Sequence, residues 1–172
     1  QADIVDAYFK KFPSKLGPDK SINLILFLGQ LGHPAQIYRT QAVLKDLEKK
    51  GYKVNVIAKD TANWQPDEAQ QKMDAWLNAY KGKFNLILAN NDAMALGAVE
   101  SLITAKYVDD PANPTKDVDG DGTFLKVPVI GVDATQVALR SMSENKLYAT
   151  VLQDAGGQAT TAFDLAYTMA TK

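Results

Sequence analysis

Apolar positions recur along the chain in two alternating rhythms. Between residues 2 and 12, Ile4/Val5, Tyr8/Phe9 and Phe12 fall on one face of a helix. Pro13, Gly17 and Pro18 end that pattern. Residues 22–28 (INLILFL) form a short, almost unbroken apolar run, as expected of a strand covered on both faces. A loop over 29–34 leads into a helix over 35–50, stopped by Gly51. Residues 53–58 alternate around Val54 and Val56 and read as a second strand. A polar loop over 59–66 then carries Trp64. The helix that follows, 67–80, stacks Ala69, Met73, Trp76/Leu77 and Tyr80 on one side.

The same alternation returns three more times. A strand over 86–89 feeds Asn90-Asn91-Asp92 and a helix over 93–106. A strand over 127–132 feeds Asp133 and a helix ending near Asn145. A strand over 148–152 feeds Gln153-Asp154 and a last helix through Ala162, Leu165 and Met169. Only residues 108–126 resist assignment, being rich in Pro, Asp and Gly. One helix followed by five strand–helix units predicts an α/β fold, because parallel strands need crossover connections. The expected form is a doubly wound, mostly parallel sheet of five to six strands with helices on both faces.

Composition narrows the function more than the fold. The 172 residues form one domain by length, 46% apolar and 23% charged, with no apolar run long enough to cross a bilayer. A formal charge of −1 gives no electrostatic reason to expect nucleic acid or an anionic membrane as partner. With no cysteine and a single histidine, thiolate chemistry is excluded and nucleophilic triads have little to work with. No G-x-S-x-G elbow and no His/carboxylate metal cluster stands in the sequence. The expectation is a binding protein, not an enzyme. No secretory leader is visible, since the sequence opens directly on Gln1-Ala2-Asp3-Ile4, and the expectation is that processing removed one or that the chain is a piece of something longer.

In an open α/β sheet, ligands bind beyond the carboxyl ends of the strands. The residues just past each strand are therefore the candidates: His33 and Arg39, then Trp64, then Asn90, Asn91 and Asp92, then Asp133, then Gln153 and Asp154. Amides, carboxylates, a guanidinium and an indole suit a small polyol, whose hydroxyls each donate and accept. The Trp ring adds an apolar face for the C–H side of a sugar. Helix capping is the plainer reading for Asp92 and Asp154, while Asp133 could cap and face the crevice at once. Trp76, on a helical apolar face, reads as structural.

These residues also carry a resemblance. Asp60-Thr61-Ala62-Asn63-Trp64 with Met73-Asp74-Ala75-Trp76-Leu77, Ala89-Asn90-Asn91-Asp92-Ala93-Met94-Ala95, Gly131-Val132-Asp133-Ala134 and Thr150-Val151-Leu152-Gln153-Asp154-Ala155 resemble, in order, the periplasmic galactose/glucose-binding family. The resemblance runs the whole chain and is to the C-terminal lobe of that two-lobed family, so that residues 1–172 would be one lobe and an N-terminal lobe its partner. It implies that His33, Arg39, Trp64, Asn91, Asp133 and Gln153 contact a monosaccharide, D-glucose or D-galactose, without a cofactor. It also implies a periplasmic or lipoprotein-anchored location and recognition by a membrane ABC permease or chemoreceptor. The effector lobe of a sugar-responsive repressor shares the architecture and is the alternative.

Three departures stand out. Ala35 replaces an Asp of the family pattern two residues after His33, leaving Gln36 as the nearby substitute. Gln153 stands for Asn. Residues 17–21 are too short and too poor in carboxylates for the family's calcium loop, and Asn85 replaces its distal glutamate, so that site is expected to be absent. A different stretch, Asp117-Val118-Asp119-Gly120-Asp121-Gly122-Thr123, has the spacing of a calcium loop at Asp117, Asp119, Asp121 and Thr123. Position 12 of that loop is Pro128, so the bidentate Glu is missing, and a solvated acidic loop is the plainer expectation.

Overall fold

The computed structural model describes residues 1–171. Five helices and five strands alternate after an opening helix: α1 (Ala2–Lys11), β1 (Ser21–Leu28), α2 (Pro34–Lys49), β2 (Lys53–Thr61), α3 (Pro66–Tyr80), β3 (Leu86–Ala89), α4 (Asp92–Thr104), β4 (Val129–Asp133), α5 (Gln136–Ser143), β5 (Ala149–Leu152) and α6 (Ala155–Ala170). All strand pairs are parallel, in the order β2-β1-β3-β4-β5.

The period of two along the strands divides the core. Leu24, Leu26 and Leu28 of β1, with Leu86, Leu88 and Ile130, meet Val5 and Phe9 of α1 and Val43 and Leu47 of α2. Their neighbours Ile25, Phe27, Ile87, Ala89 and Val129 face the other way, onto Met73 and Leu77 of α3, Met94, Ala98 and Leu102 of α4, and Ala138 of α5. Each such large aliphatic side chain taken wholly out of water contributes about 1.5–3 kcal/mol. Trp76 lies on the ring of Phe27 at a centroid distance of 4.9 Å, which confirms it as a packing residue. From β1 the chain moves outward to β2, then crosses back to β3 and continues to β4 and β5. The direction of winding therefore reverses between β1 and β3, where a doubly wound sheet opens its crevice.

Several boundaries differ from those the sequence suggests, each for a tertiary reason. Strand β2 continues to Thr61, past residue 58, because it stays paired with β1 until Leu28 meets Thr61. Residues 108–126 form no regular element, as expected, but they are not a solvated loop throughout. Val108 bridges to Leu125, and Phe124 and Leu125 are buried. Helix α6 forms as expected, yet every side chain from Gln158 to Met169 is exposed, including Phe163, Leu165, Tyr167 and Met169. Among the described residues, no helix is long and apolar enough to cross a membrane.

Candidate functional site

The carboxyl ends of β3, β4 and β5 meet at one residue, Arg39. It lies on the second turn of α2, whose Gln36, Thr40, Val43 and Leu47 turn inward and fix the helix on the sheet. The guanidinium donates to the carbonyl of Asn90 at the end of β3, to Asp133 Oδ1 at 3.0 Å at the end of β4, and to Gln153 Oε1 just past β5. Its carbon also stands 5.9 Å from the centre of the Trp64 ring. One side chain thus cross-links three strand ends and touches the aromatic platform.

Trp64 is held by its backbone rather than by a helix. Asn63 and Trp64 have φ of 49° and 68°, a left-handed turn unusual for residues of this size. Four hydrogen bonds brace the turn: Ala62 N–H to Leu28 O at 2.8 Å, Gln65 N–H to Ala62 O at 2.7 Å, Asn63 N–H to Thr61 Oγ1 at 3.2 Å, and Thr61 Oγ1–H to Gly29 O at 2.8 Å. Asn91 Nδ2 donates to the Trp64 carbonyl at 3.3 Å from the far side. The ring then rests on Gly29, where any Cβ would overlap it.

His33 completes this wall. It is the N-cap of α2, its Nδ1 accepting from Ala35 N–H at 3.2 Å, so its remaining polar group is the Nε2–H. Its ring meets Trp64 edge-on, centroids 5.3 Å apart. His33, Arg39, Trp64, Asn91, Asp133 and Gln153 are therefore brought together at one end of the sheet, on both sides of the winding reversal.

Capping is distributed differently from the sequence reading. Asn91, not Asp92, caps α4, its Oδ1 accepting from Met94 N–H at 3.0 Å. Thr135, not Asp133, caps α5. Asp154 does cap α6, accepting from Gly157 N–H at 2.9 Å, and turns away from ligand duty. Freed from capping, Asp133 keeps its carboxylate for Arg39 and the crevice. Burial raises its pKa above the usual aspartate value, the neighbouring Asp92 adds to this, and the Arg39 guanidinium opposes it.

Two further residues build the site: Asn90, which stands among the candidates of the sequence, and Gly29, which does not. Asn90 is fully buried, its Oδ1 accepting from Gly29 N–H at 3.1 Å and Thr40 Oγ1–H at 3.2 Å, while its Nδ2 finds no protein partner. Gly29 has no side chain to announce its role as a seat for Trp64. A glycine directly after an apolar strand was the available signal.

The acidic loop is rearranged relative to the spacing argument. Asp117, Asp119, Asp121 and Thr123 do not converge on one point. Asp121 is turned inward, accepting from Tyr8 O–H at 2.6 Å, Thr123 N–H at 3.0 Å and the Lys15 ammonium at 2.9 Å. Lys15 also reaches Asp119 at 2.5 Å. Burial works against the charge on Lys15, but hydrogen bonds to Asp119 and Asp121 outweigh it and raise its pKa. Asp117 accepts from Gly120 N–H at 2.7 Å and Gly122 N–H at 3.0 Å. The carboxylates that do approach one another are Asp109, Asp117 and Asp119, with oxygens within 4.8 Å. Near residues 17–21, Asn85 links segments instead: its Oδ1 accepts from Asn23 N–H at 2.7 Å and its Nδ2 donates to the carbonyls of Lys15 at 3.1 Å and Ser21 at 3.2 Å.

The fold is shared with known proteins. The sequence profile of the periplasmic binding protein domain family matches residues 3–172. The D-galactose/methyl-galactoside binding periplasmic protein MglB of Haemophilus influenzae is 34% identical over 172 residues, 99% of this chain and 46% of its own length. A solute-binding protein of an ABC transporter from Bacillus halodurans, solved with myo-inositol, superposes with a TM-score of 0.72 at 33% identity, covering 98% of this chain and 50% of that one. The Caulobacter myo-inositol binding protein gives a TM-score of 0.74 at 26% identity, over 96% of this chain and 49% of its own. This chain spans about half the length of each of these relatives. It belongs to the periplasmic binding protein domain family.

Proposed function

We propose that this chain forms one wall of a non-catalytic site for a monosaccharide, D-glucose or D-galactose, and that a second lobe closes over it. The observation that carries the reading is the convergence of Trp64 with the Arg39–Asp133–Gln153 cluster. An indole beside a fork of donors and acceptors matches a pyranose, which presents C–H groups on its face and paired hydroxyls at its edge. Arg39 and the half-buried Asp133 neutralise each other at 3.0 Å. An uncharged ligand therefore suits the cleft better than a phosphate or a carboxylate.

In this reading Trp64 stacks on the ring, Asp133 and Gln153 accept from hydroxyls, and Arg39, Asn91 and His33 Nε2–H donate. No cofactor takes part. The Lys15 ammonium between Asp119 and Asp121 supports a loop that holds itself together without calcium. The protein would work in the periplasm or on a lipoprotein anchor, handing the sugar to a membrane ABC permease and reporting to a chemoreceptor. Glucose and galactose head the proposal because the MglB relative matches nearly the full chain.

The test is an amide NMR titration of this chain with millimolar D-glucose, D-galactose and myo-inositol. Shifts centred on the Trp64 indole N–H, Asn91, Asp133 and Gln153 support the site, and their size ranks the three ligands. Larger shifts with myo-inositol would replace the hexose with a cyclitol. No shift at these residues, in this chain and in the same chain joined to a second lobe, would overturn the proposal.

A further inference from the structure

Asp133 has a backbone that its residue type disfavours. Its φ is 121° and that of Ala134 is 55°, both in the region where a side chain crowds its own backbone. Such a turn persists only where its surroundings over-determine it. The surroundings here are two side chains outside the cleft cluster. Ala134 N–H donates to Thr150 Oγ1 at 3.1 Å, and that hydroxyl donates onward to Asp92 Oδ1 at 2.5 Å. Thr135 N–H donates to Asp92 Oδ2 at 2.8 Å.

Asp92 is fully buried, and both of its oxygens are used, one by Thr135 N–H and the other by the Thr150 hydroxyl. A buried carboxylate is costly unless its acceptors are filled, and here they are. Its place in the first turn of α4 adds a favourable helix dipole. Gly131 makes the room: a Cβ there would overlap Asp92 Oδ1. The carboxylate is acceptor-only, so the Thr150 hydroxyl donates to it, and Asp92→Ala would leave both Thr135 N–H and that hydroxyl without their acceptor.

We propose that Asp92, relayed in part through Thr150, is a positioning residue for the ligand site: it clamps the 133–135 backbone so that the Asp133 carboxylate meets Arg39 in the cleft. Asp133 is then fixed twice, through its backbone by Asp92 and through its carboxylate by Arg39. The clamp rests on the sugar-site reading only for its effect on affinity, since the backbone geometry exists without ligand.

The experiment compares the wild-type chain with Thr150→Val, Thr150→Ser and Asp92→Ala. Two quantities are measured on each: the φ-dependent amide–Hα couplings of Asp133 and Ala134 without ligand, and affinity for D-glucose and D-galactose by titration. We expect Thr150→Val and Asp92→Ala to lose the left-handed couplings and to bind at least about tenfold more weakly, as the loss of one or more buried hydrogen bonds would give. The Ser variant keeps the hydroxyl and should match wild type in both. If folded Thr150→Val and Asp92→Ala proteins keep the wild-type couplings, or change them with no loss of affinity, the positioning role is wrong. If no variant binds sugar, wild type included, but the couplings move as stated, the clamp stands as geometry and the sugar reading fails.

Discussion

The indole of Trp64 rests on Gly29 with no space between them for a side chain. The far end of the indole is the part that would collide, and an indole can swing where backbone cannot. Gly29→Ala should therefore leave the fold nearly intact and move the ring. We expect altered Trp64 fluorescence, a small change in Tm and affinity about tenfold weaker. A sugar titration of the variant, read against its melting curve, checks this. Unchanged affinity would mean the ring position does not matter to binding.

Trp64 and His33 should differ sharply when truncated. Trp64 supplies a broad apolar face, whereas His33 has already committed Nδ1 to capping α2 and offers one N–H. Trp64→Ala should weaken sugar binding about thirtyfold or more, in the range of a central aromatic anchor. His33→Ala should cost a few-fold. Isothermal titration of both variants decides it. Equal losses would count against stacking as the main contribution.

Acid should weaken binding earlier than an ordinary aspartate would allow. Burial raises the pKa of Asp133, with Arg39 opposing and Asp92 reinforcing the rise. The carboxylate is the acceptor form, so affinity falls as pH drops through this raised value. Stability moves the other way for this group. Its folded pKa exceeds its unfolded one, so the folded state takes up the proton first and gains stability as pH falls through that interval. Affinity and Tm measured across the acid range should thus diverge. Asp133→Asn should remove the acid dependence and bind weakly throughout.

Lys15 is expected to do the work of a counter-ion for the acidic loop. Asp121 is buried, and removing the ammonium leaves its charge dependent on Tyr8 and Thr123 alone. Lys15→Met should cost about 1–3 kcal/mol, the usual penalty for stranding a buried hydrogen-bonded charge. The raised pKa of Lys15 makes this contribution complete at neutral pH, and it is lost as alkaline pH rises through the folded value. Millimolar calcium should leave the Tm of the wild-type chain unchanged. A rise in Tm with calcium would show that Asp109, Asp117 and Asp119 take the ion.

The parts of this molecule written in hydrophobic rhythm were readable in advance. The apolar run of β1 and the helical spacing of Ala69, Met73 and Leu77 each specify one local structure, and the parallel sheet follows from their alternation. Candidate residues were readable because a doubly wound sheet exposes its strand ends, so position in sequence gave position in space. Pairings across the fold were not readable. Asp92 follows Asn91 directly, and nothing local says that the first caps nothing and instead reaches Thr135 and Thr150, residues 43 and 58 positions away. Lys15 and Asp121 likewise meet only once α1 has docked beside the loop. The left-handed turns at Trp64 and Asp133 break local preference, and such breaks come from tertiary hydrogen bonds.

Arg39 is anchored to Asn90, Asp133 and Gln153 by the protein's own groups. A long, flexible cation normally surrenders rotational freedom when it grips a ligand, at about 0.5–1.5 kcal/mol for such a side chain. Here the three strand-end contacts already take up that freedom. The fork keeps one orientation, so an incoming hydroxyl finds it ready and the wrong epimer cannot coax it into a new one. Stiffness at this residue is therefore a source of stereochemical discrimination, and the adaptability that capture requires must come from groups other than Arg39.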